Sequence, residues 1–464
     1  MDAGMSDTGR EGVLPGRAAG APIIVVGLGY GDESKGATVD YLASQIPDTA
    51  AVVRWSGGSQ AAHNVCHGPR HHTFRQFGSA SLLDVRTILR APMMVNPLSL
   101  AAEAGELEAL GIGDPLGLIT ADARALVTTP IHVAMNRARE ILRGKARHGS
   151  TGEGIGETAA YALAVTEQAR AGSMIGNFPV LVDAPAVPAP TLATLRDRAA
   201  TIRALDALAG YAAPLLGSAG GGAPHESVET IADALCGIAE QIRITDDVDS
   251  EIAAAIATGT VLFEGSQGVL LDEWNGFHPY TTWSTVVPAD LIEWISRIGH
   301  DPYVLGLTRC YATRHGAGPM PTEDANLQLP DVHNREGRYQ GAWRTGHLDL
   351  PALRYAAAIT GQIDGVAVSH LDVLGIADLM VAETWNGDPE PLAPSHAEDT
   401  AALEHLTALA CEARPDYRPL PEGVDAVTDL IAGATGAPVV LTAAGPTRTD
   451  RSIFVQRPAL GARQ

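Results

Sequence analysis

Gly27-Leu28-Gly29-Tyr30-Gly31-Asp32-Glu33-Ser34-Lys35-Gly36 is the stretch on which the reading of this chain turns. Before it stands Pro22-Ile23-Ile24-Val25-Val26, a short apolar run stopped by glycine, which reads as a buried parallel strand. Behind it, Val39, Leu42, Ala43 and Ile46 recur at helical spacing and form one stripe of a helix. Strand, glycine loop and helix therefore follow in order. Glycines let the backbone approach an anion, the helix start offers unpaired N–H groups, and Lys35 adds a point charge for phosphate. Yet neither familiar phosphate pattern fits. The dinucleotide fingerprint requires glycine where Asp32 stands; the P-loop requires glycine at Ser34 and a hydroxyl at Gly36. A carboxylate inside a phosphate cradle is unfavourable unless it binds a cation or accepts a proton. Taken alone, the loop leaves phosphate binding and a plain glycine turn both open, with Asp32 as a helix N-cap in the second case.

Further strand-like runs occur at Ala51–Trp55, Val261–Phe263, Val304–Leu307, Gly365–Val368 and Pro438–Leu441, each leading into a polar, glycine-containing loop. Residues 98–112 and 130–144 read as helices. The Ala-rich stretch 183–258, broken at Gly217–Gly222, reads as a helical insertion or subdomain. Strands alternating with helices predict an α/β fold with a mainly parallel central sheet and flanking helices. The ordered part is expected as a single domain over 21–464, after a disordered tail at 1–20. Ligands of such sheets bind beyond the carboxyl ends of the strands, where these loops fall.

The chain has 464 residues, 45% of them apolar, enough for a large core. Its formal net charge of −22 argues against nucleic acid as a partner, which requires a basic footprint, but not against a nucleotide site built from a few local donors. Cys66, Cys236, Cys310 and Cys411 show no metal-ligand spacing and read as free thiols of a reducing compartment. No apolar run reaches the roughly eighteen residues of a membrane span, and the first residues lack a secretory core. A cytoplasmic location is the expectation.

Several further segments resemble the adenylosuccinate synthetases, in order along residues 22–456. Asp32–Ala37, GDESKGA with Gly31, resembles that family's GDEGKGK loop. Gly57-Gly58-Ser59-Gln60-Ala61-Ala62-His63-Asn64 is similar to GG-x-NAGHT. Gln76–Ser79, Val95–Leu98 and Gly149–Gly156 have counterparts, the last in GTTGRGIG. Glu264–Asp272 resembles EGAQGTLLD, with Pro279–Thr282 at the family's spacing. Thr313–Pro319 resembles TRVGSGP, Arg344–Asp349 resembles RTGWLD, His370–Leu374 resembles KLDVL, and Gly445–Arg448 resembles the closing GPDR.

The resemblance implies a P-loop-like, GTP-dependent ligase of purine biosynthesis. Such an enzyme joins IMP to L-aspartate through a 6-phosphoryl intermediate. It implies Asp32 as the base that takes the purine N1 proton, His63 as the partner of O6, and Lys35 and Gln267 beside them. It implies Mg²⁺ on Asp32 and the Ala62 carbonyl. GTP would touch Gly31, Glu33, Ser34, Lys35, Gly36, Ala62, His63 and Asn64. Its guanine would meet His370, Asp372, Ala443, Ala444 and Gly445, with one carboxylate accepting from both N1–H and the 2-amino group. The other substrate would meet Asp32, Gln60, Ala61, Thr151, Gln267, Thr282 and Arg344. A homodimer is implied as well.

Four departures bear on the amine. Counting back from Arg344 puts Gly341 and Trp343 where the family's TTGRPRRTG carries arginines; Arg335, Arg338 and Arg344 remain nearby. Gly and Trp do not replace bidentate arginine on carboxylates. Glu153 stands where a basic residue is usual, Glu157-Thr158-Ala159 replaces a PAY segment, and His370 replaces a lysine. The family's cross-subunit arginine has no clear counterpart, Arg170 being the nearest candidate. Three readings follow: an authentic synthetase, a paralogue that activates a related lactam or couples another amine, and a non-catalytic nucleotide-binding regulator.

Overall fold

Ile23–Gly27 forms the expected strand and lies inside a ten-stranded sheet. The computed structural model describes residues 13–144, 149–327, 329, 334, 339–394 and 399–455. Across the sheet the strands run Arg451–Ile453, Val439–Ala443, Gly365–Ser369, Tyr303–Arg309, Ile23–Gly27, Thr260–Gly268, Thr49–Arg54, Thr87–Leu89, Ile119–Asp122 and Arg243–Thr245. Neighbours pair in parallel except Arg451–Ile453, which closes one edge antiparallel.

The strand alternation explains the layers. Ile24, Val26, Val53 and Phe263 point to one face, where they pack with Val248, Ile252, Leu291, Leu353 and Ile431. Ile23, Val25, Val52, Leu262 and Leu305 point to the other and pack on Val39 and Leu42. Because both faces are covered, the central strands read as continuous apolar runs.

Two expectations are corrected. Ordered chain begins before residue 21: Leu14 is fully buried in the second of those clusters, Arg17 donates to the Ala21 carbonyl and to Thr260 Oγ1, and the Tyr303 hydroxyl donates to the Pro15 carbonyl. Two apolar residues, Val13 and Leu14, are too short a signal to read from sequence; residues 1–12 lie outside the described ones. The Ala-rich stretch does hold the helices Arg198–Ser218, Val228–Ala239 and Val248–Thr258. It is not an appendage, however. Arg243–Thr245 is the sheet's other edge strand, and Val248–Thr258 packs on the central strands. Among the described residues no helix is long and apolar enough to cross a membrane.

Candidate active site

The first loop leaves strand Ile23–Gly27 at its carboxyl end and enters helix Lys35–Gln45. Ser34, not Asp32, is the N-cap, and its side chain makes no cap bond. Asp32 at φ 65° and Ser34 at φ 66° both occupy the left-handed region. That costs non-glycine residues roughly 1 kcal/mol or more apiece, so surrounding contacts must hold them. Arg309 Nε donates to the Asp32 carbonyl at 2.6 Å, and His315 Nε2 meets Asp32 Oδ2 at 3.1 Å. Burial pushes the Asp32 carboxyl up, but the His315 hydrogen bond and the charges of Arg309, His315 and Lys35 outweigh it and hold the group at about 2. Asp32 is therefore ionised at neutral pH, as a proton acceptor or cation ligand requires.

Glu33 fills the loop's interior. Its carboxylate accepts from the Gly31 N–H at 2.7 Å and from Lys35 Nζ at 2.9 Å, and both side chains are buried. A Cβ on Gly27 or Gly29 would collide with that carboxylate. The loop thus cradles an anion of the chain's own, which a nucleotide's phosphates would have to displace from Lys35.

His63 opens strand His63–His67 and packs against the start of the same helix: a Cβ on Gly36 would lie 2.6 Å from His63 Cβ. Its Nδ1 lies 2.6 Å from Glu264 Oε1 and its Nε2 lies 3.2 Å from the Ser266 carbonyl. Two acceptors are both satisfied only by imidazolium. Burial pushes the ring the other way, ahead of the pull of Glu264, and Arg54 and Lys35 add to it. Glu264 also accepts from the Ser79 N–H at 2.9 Å. Burial would raise its carboxyl, but Arg54, His63 and Ser79 hold it at about 2. The fully buried Glu264 thus fixes the orientation of the His63 ring. Neither this task nor the Arg309 and His315 contacts to Asp32 were assigned from sequence. Glu264 and His315 lie inside matched motifs, but only the fold brings them to their partners.

Gln60 packs at Gly57 and Gly58, beside Ser266. Among the described residues, both polar atoms of its side-chain amide, Gln267 Oε1 and the Ser59 hydroxyl are buried without a hydrogen-bond partner. Buried polar groups in a native protein are normally paired, so these fit a polar ligand. Thr282 follows Leu271, to whose carbonyl its N–H donates, and nearby Ser284 Oγ accepts from the Gly57 N–H. Ala61 is buried and Ala62 is exposed just before the hairpin that His63–His67 forms with Arg70–Phe74. Asn64, by contrast, spends its carbonyl oxygen on His71 and Thr73 within the hairpin.

The expected base site lies two and three strands away. Asp372 is exposed in the turn Leu371–Val373, after strand Gly365–Ser369. His370, at φ 60°, is driven well below the usual histidine range by burial, then by Arg309 and Arg451. Ala444 and Gly445 follow the adjoining strand Val439–Ala443.

Strands Ala312–His315 and Trp343–Gly346 form a separate hairpin over the loop. The Arg344 guanidinium is engaged internally: Nε and Nη2 donate to the Glu323 carboxylate, and Nη1 donates to the Gly316 and Gly318 carbonyls. The turn holding Thr151 packs against it, since a Cβ on Gly149 would lie 2.9 Å from the Gln340 carbonyl oxygen. Arg170 pairs with Asp183 on the surface. Arg335 and Arg338 lie outside the described residues.

A doubly covered parallel sheet whose carboxyl-end loops carry an anion cradle, an ionised aspartate and a buried histidine–glutamate pair defines a nucleotide-binding α/β enzyme. A family model described as adenylosuccinate synthetase matches residues 24–452. The chain is 32% identical to the adenylosuccinate synthetase of Methylococcus capsulatus, over 94% of this chain and 98% of that one. It is 31% identical to that of Polynucleobacter asymbioticus, over 95% and 98%. Among solved structures, fully ligated adenylosuccinate synthetase from Plasmodium falciparum superposes with TM-score 0.72 at 20% identity, over 94% of this chain and 100% of that one. The succinoaminodeoxyadenylate synthetase of cyanophage S-2L, bound to dGMP and dATP, superposes with TM-score 0.55 at 17% identity, over 93% and 95%. These last two likenesses concern the fold. The chain belongs to the adenylosuccinate synthetase family, whose members are GTP-dependent ligases.

Proposed function

We propose that this chain transfers the γ-phosphoryl group of GTP to O6 of a 6-oxopurine nucleotide, IMP, and then joins an amine at C6. The purine C6 is a poor electrophile until its oxygen becomes a leaving group. Asp32 takes the N1 proton, which makes O6 the nucleophile toward phosphorus. His63, aimed by Glu264, donates to O6 as charge develops there. Lys35 leaves Glu33 for the transferring phosphate, and the side-chain amide of Gln60 and Oε1 of Gln267, unpartnered among the described residues, meet the purine nucleotide. Thr151 and Thr282 serve its sugar and phosphate. Asp372 reads guanine, with His370 and Ala443–Gly445 beside it.

The donor set fits Mg²⁺. Asp32 is an ionised carboxylate whose side-chain contact to His315 uses Oδ2, and Ala62 is exposed. Among the described residues no group of three or more His, Cys, Asp or Glu could hold a metal. Mg²⁺ bound by Asp32 and the Ala62 carbonyl would draw its remaining ligands from phosphate and water, and would supply charge neutralisation on the phosphates. A cytoplasmic homodimer completes the reading.

The observation that carries this reading is the ionised Asp32 inside the phosphate loop, beside Lys35 and near a buried His63–Glu264 pair. Positional isotope exchange tests it without any amine. With IMP and Mg²⁺, GTP labelled at the β,γ-bridge should scramble its label as the 6-phosphoryl intermediate forms and reverts. No scrambling at saturating IMP would sink the proposal. L-Aspartate is the amine that the family implies. A second reading, another amine, is favoured by one observation: the Arg344 guanidinium already makes four hydrogen bonds, to Glu323 and to the Gly316 and Gly318 carbonyls.

A further inference from the structure

The hairpin over the loop pairs Arg314 with Arg344 and His315 with Trp343. Directly opposed residues of an antiparallel ladder put their side chains on one face. Trp343 therefore shares a face with His315, and His315 touches Asp32. This rung runs from the expected base at one end to an indole at the other.

Two ring nitrogens on that rung are unspent. Among the described residues, the buried indole Nε1–H of Trp343 has no partner, and neither has Nδ1 of His315. Of the described cations around it, Arg344 and Arg314 are held by the hairpin and its neighbours. Arg344 is held by Glu323 and the carbonyls of Gly316 and Gly318. Arg314 donates to the carbonyls of Ala317, Pro319 and Tyr280. Arg137 Nε donates to the Gly152 carbonyl, and its guanidinium lies over the Tyr339 ring, which itself covers Gly152. Next to Arg137 stands the acidic Glu153, whose carboxyl is raised by burial against the pull of that arginine. Gly341 sits at φ 88°, where any larger residue, arginine included, is strained. A donor with two carboxylates needs fixed cations aimed at both, and a buried unpaired carboxylate is strongly disfavoured. A single acceptor oxygen is the complement of an unpaired indole N–H.

We propose that the amine-donor subsite lies on the His315–Trp343 face and takes a primary amine with no more than one carboxylate, a carbonyl or carboxylate oxygen of which accepts from the Trp343 indole N–H. This rests on the activation of a 6-oxopurine nucleotide proposed above. The step balances without any further reactant. The amine nitrogen bonds to C6, the C6–O6 bond breaks, O6 departs with the phosphoryl group as orthophosphate, and the surplus amine proton passes to solvent.

The test uses the full chain with GTP, Mg²⁺ and IMP, and reads phosphate release with glycine, L-alanine, L-asparagine and L-aspartate as donors. At least one of the first three should exceed L-aspartate in kcat/KM by tenfold or more. Trp343→Arg should move that ratio toward aspartate by tenfold or more; both donors are measured on one preparation, so partial misfolding cancels. Trp343→Phe, which keeps the ring and loses the N–H, should raise the KM of the preferred donor severalfold with a smaller change in kcat. Aspartate as the best donor, or a ratio indifferent to Trp343→Arg, overturns the proposal. So does isotope scrambling with IMP while no probe donor turns over, an outcome that leaves the activation reading intact. Absence of scrambling removes both.

Discussion

The glycine loop and the hairpin above it face the same space but handle charge in opposite ways. In the loop, each charged group is paired with one that a substrate can replace: Lys35 with Glu33, His63 with the Ser266 carbonyl beyond Glu264, Asp32 with His315. In the hairpin, Arg344 and Arg314 are tied to Glu323 and to backbone carbonyls that no substrate displaces without unravelling the turn. The first arrangement is suited to chemistry, because phosphoryl transfer moves charge and requires ionic partners held ready. The second is suited to scaffolding, and what it offers a ligand is shape and a neutral donor. A departure from a family pattern is thus informative when it changes which charges are free, and the loop and hairpin differ in that respect.

The largest expected effect that could break this comparison is at Asp32. Asp32→Ala should lower both isotope scrambling and phosphate release by about a thousandfold or more, as loss of a base and cation ligand in one group implies. The circular dichroism spectrum should not change. Residual activity within tenfold of the parent would remove Asp32 from its role. Next is Glu264→Gln, which keeps the shape but weakens the aim of His63. A fall in kcat of roughly ten- to a hundredfold is expected, with the KM for IMP moved less; equal changes in both would make Glu264 a mere packing residue.

Glu264 also makes a pH prediction. Its carboxyl is held below its ordinary value, from 4.5 down to about 2. A depressed carboxylate contributes stability that is present above the unfolded value and is lost as pH falls through the folded one. The difference in melting temperature between parent and Glu264→Gln should therefore narrow as pH falls from about 4.5 toward about 2. A difference constant over that range would mean the partners do not hold the charge.

Asp372→Asn should shift the preference for GTP over ATP by about tenfold, the worth of one lost charge-assisted hydrogen bond. An unchanged ratio in competition would place the base elsewhere. The smallest effect is expected at Glu323→Gln. The pair with Arg344 is partly exposed, so its loss should cost about 1 kcal/mol or less in denaturant unfolding. If the same change raised kcat/KM for aspartate more than tenfold, Arg344 would be a substrate arginine held in reserve, and the contrast between loop and hairpin would fail.

Much of the fold was readable because its signals are local. The apolar runs at Ile23, Val261, Val304, Gly365 and Pro438 all mark strands of the sheet, since strands buried on both faces must be apolar throughout. Helices at 98–112 and 130–144 appear as Pro97–Ala109 and Pro130–Arg143, each with Pro in its first turn. The strand Arg243–Thr245 was not readable, because a three-residue edge strand with an exposed residue carries no apolar pattern. In the site, Asp32, Lys35 and His63 could be named from motif and residue type. Arg309, His315 and Glu264 could not be given their tasks, for the contacts that define those tasks join residues hundreds of positions apart.

By itself the sequence determined the parallel α/β class, the strand–glycine loop–helix order at the start of the sheet and the family. Each of these is written in contiguous residues whose backbone chemistry acts locally. Only the tertiary structure decided which charges are free. It paired Asp32 with His315, His63 with Glu264 and Arg344 with Glu323, and among the described residues it left the Trp343 indole N–H without a partner. Whether a charged side chain serves a substrate or the scaffold depends on what lies within hydrogen-bond reach of it, and that is set by folding rather than by residue type.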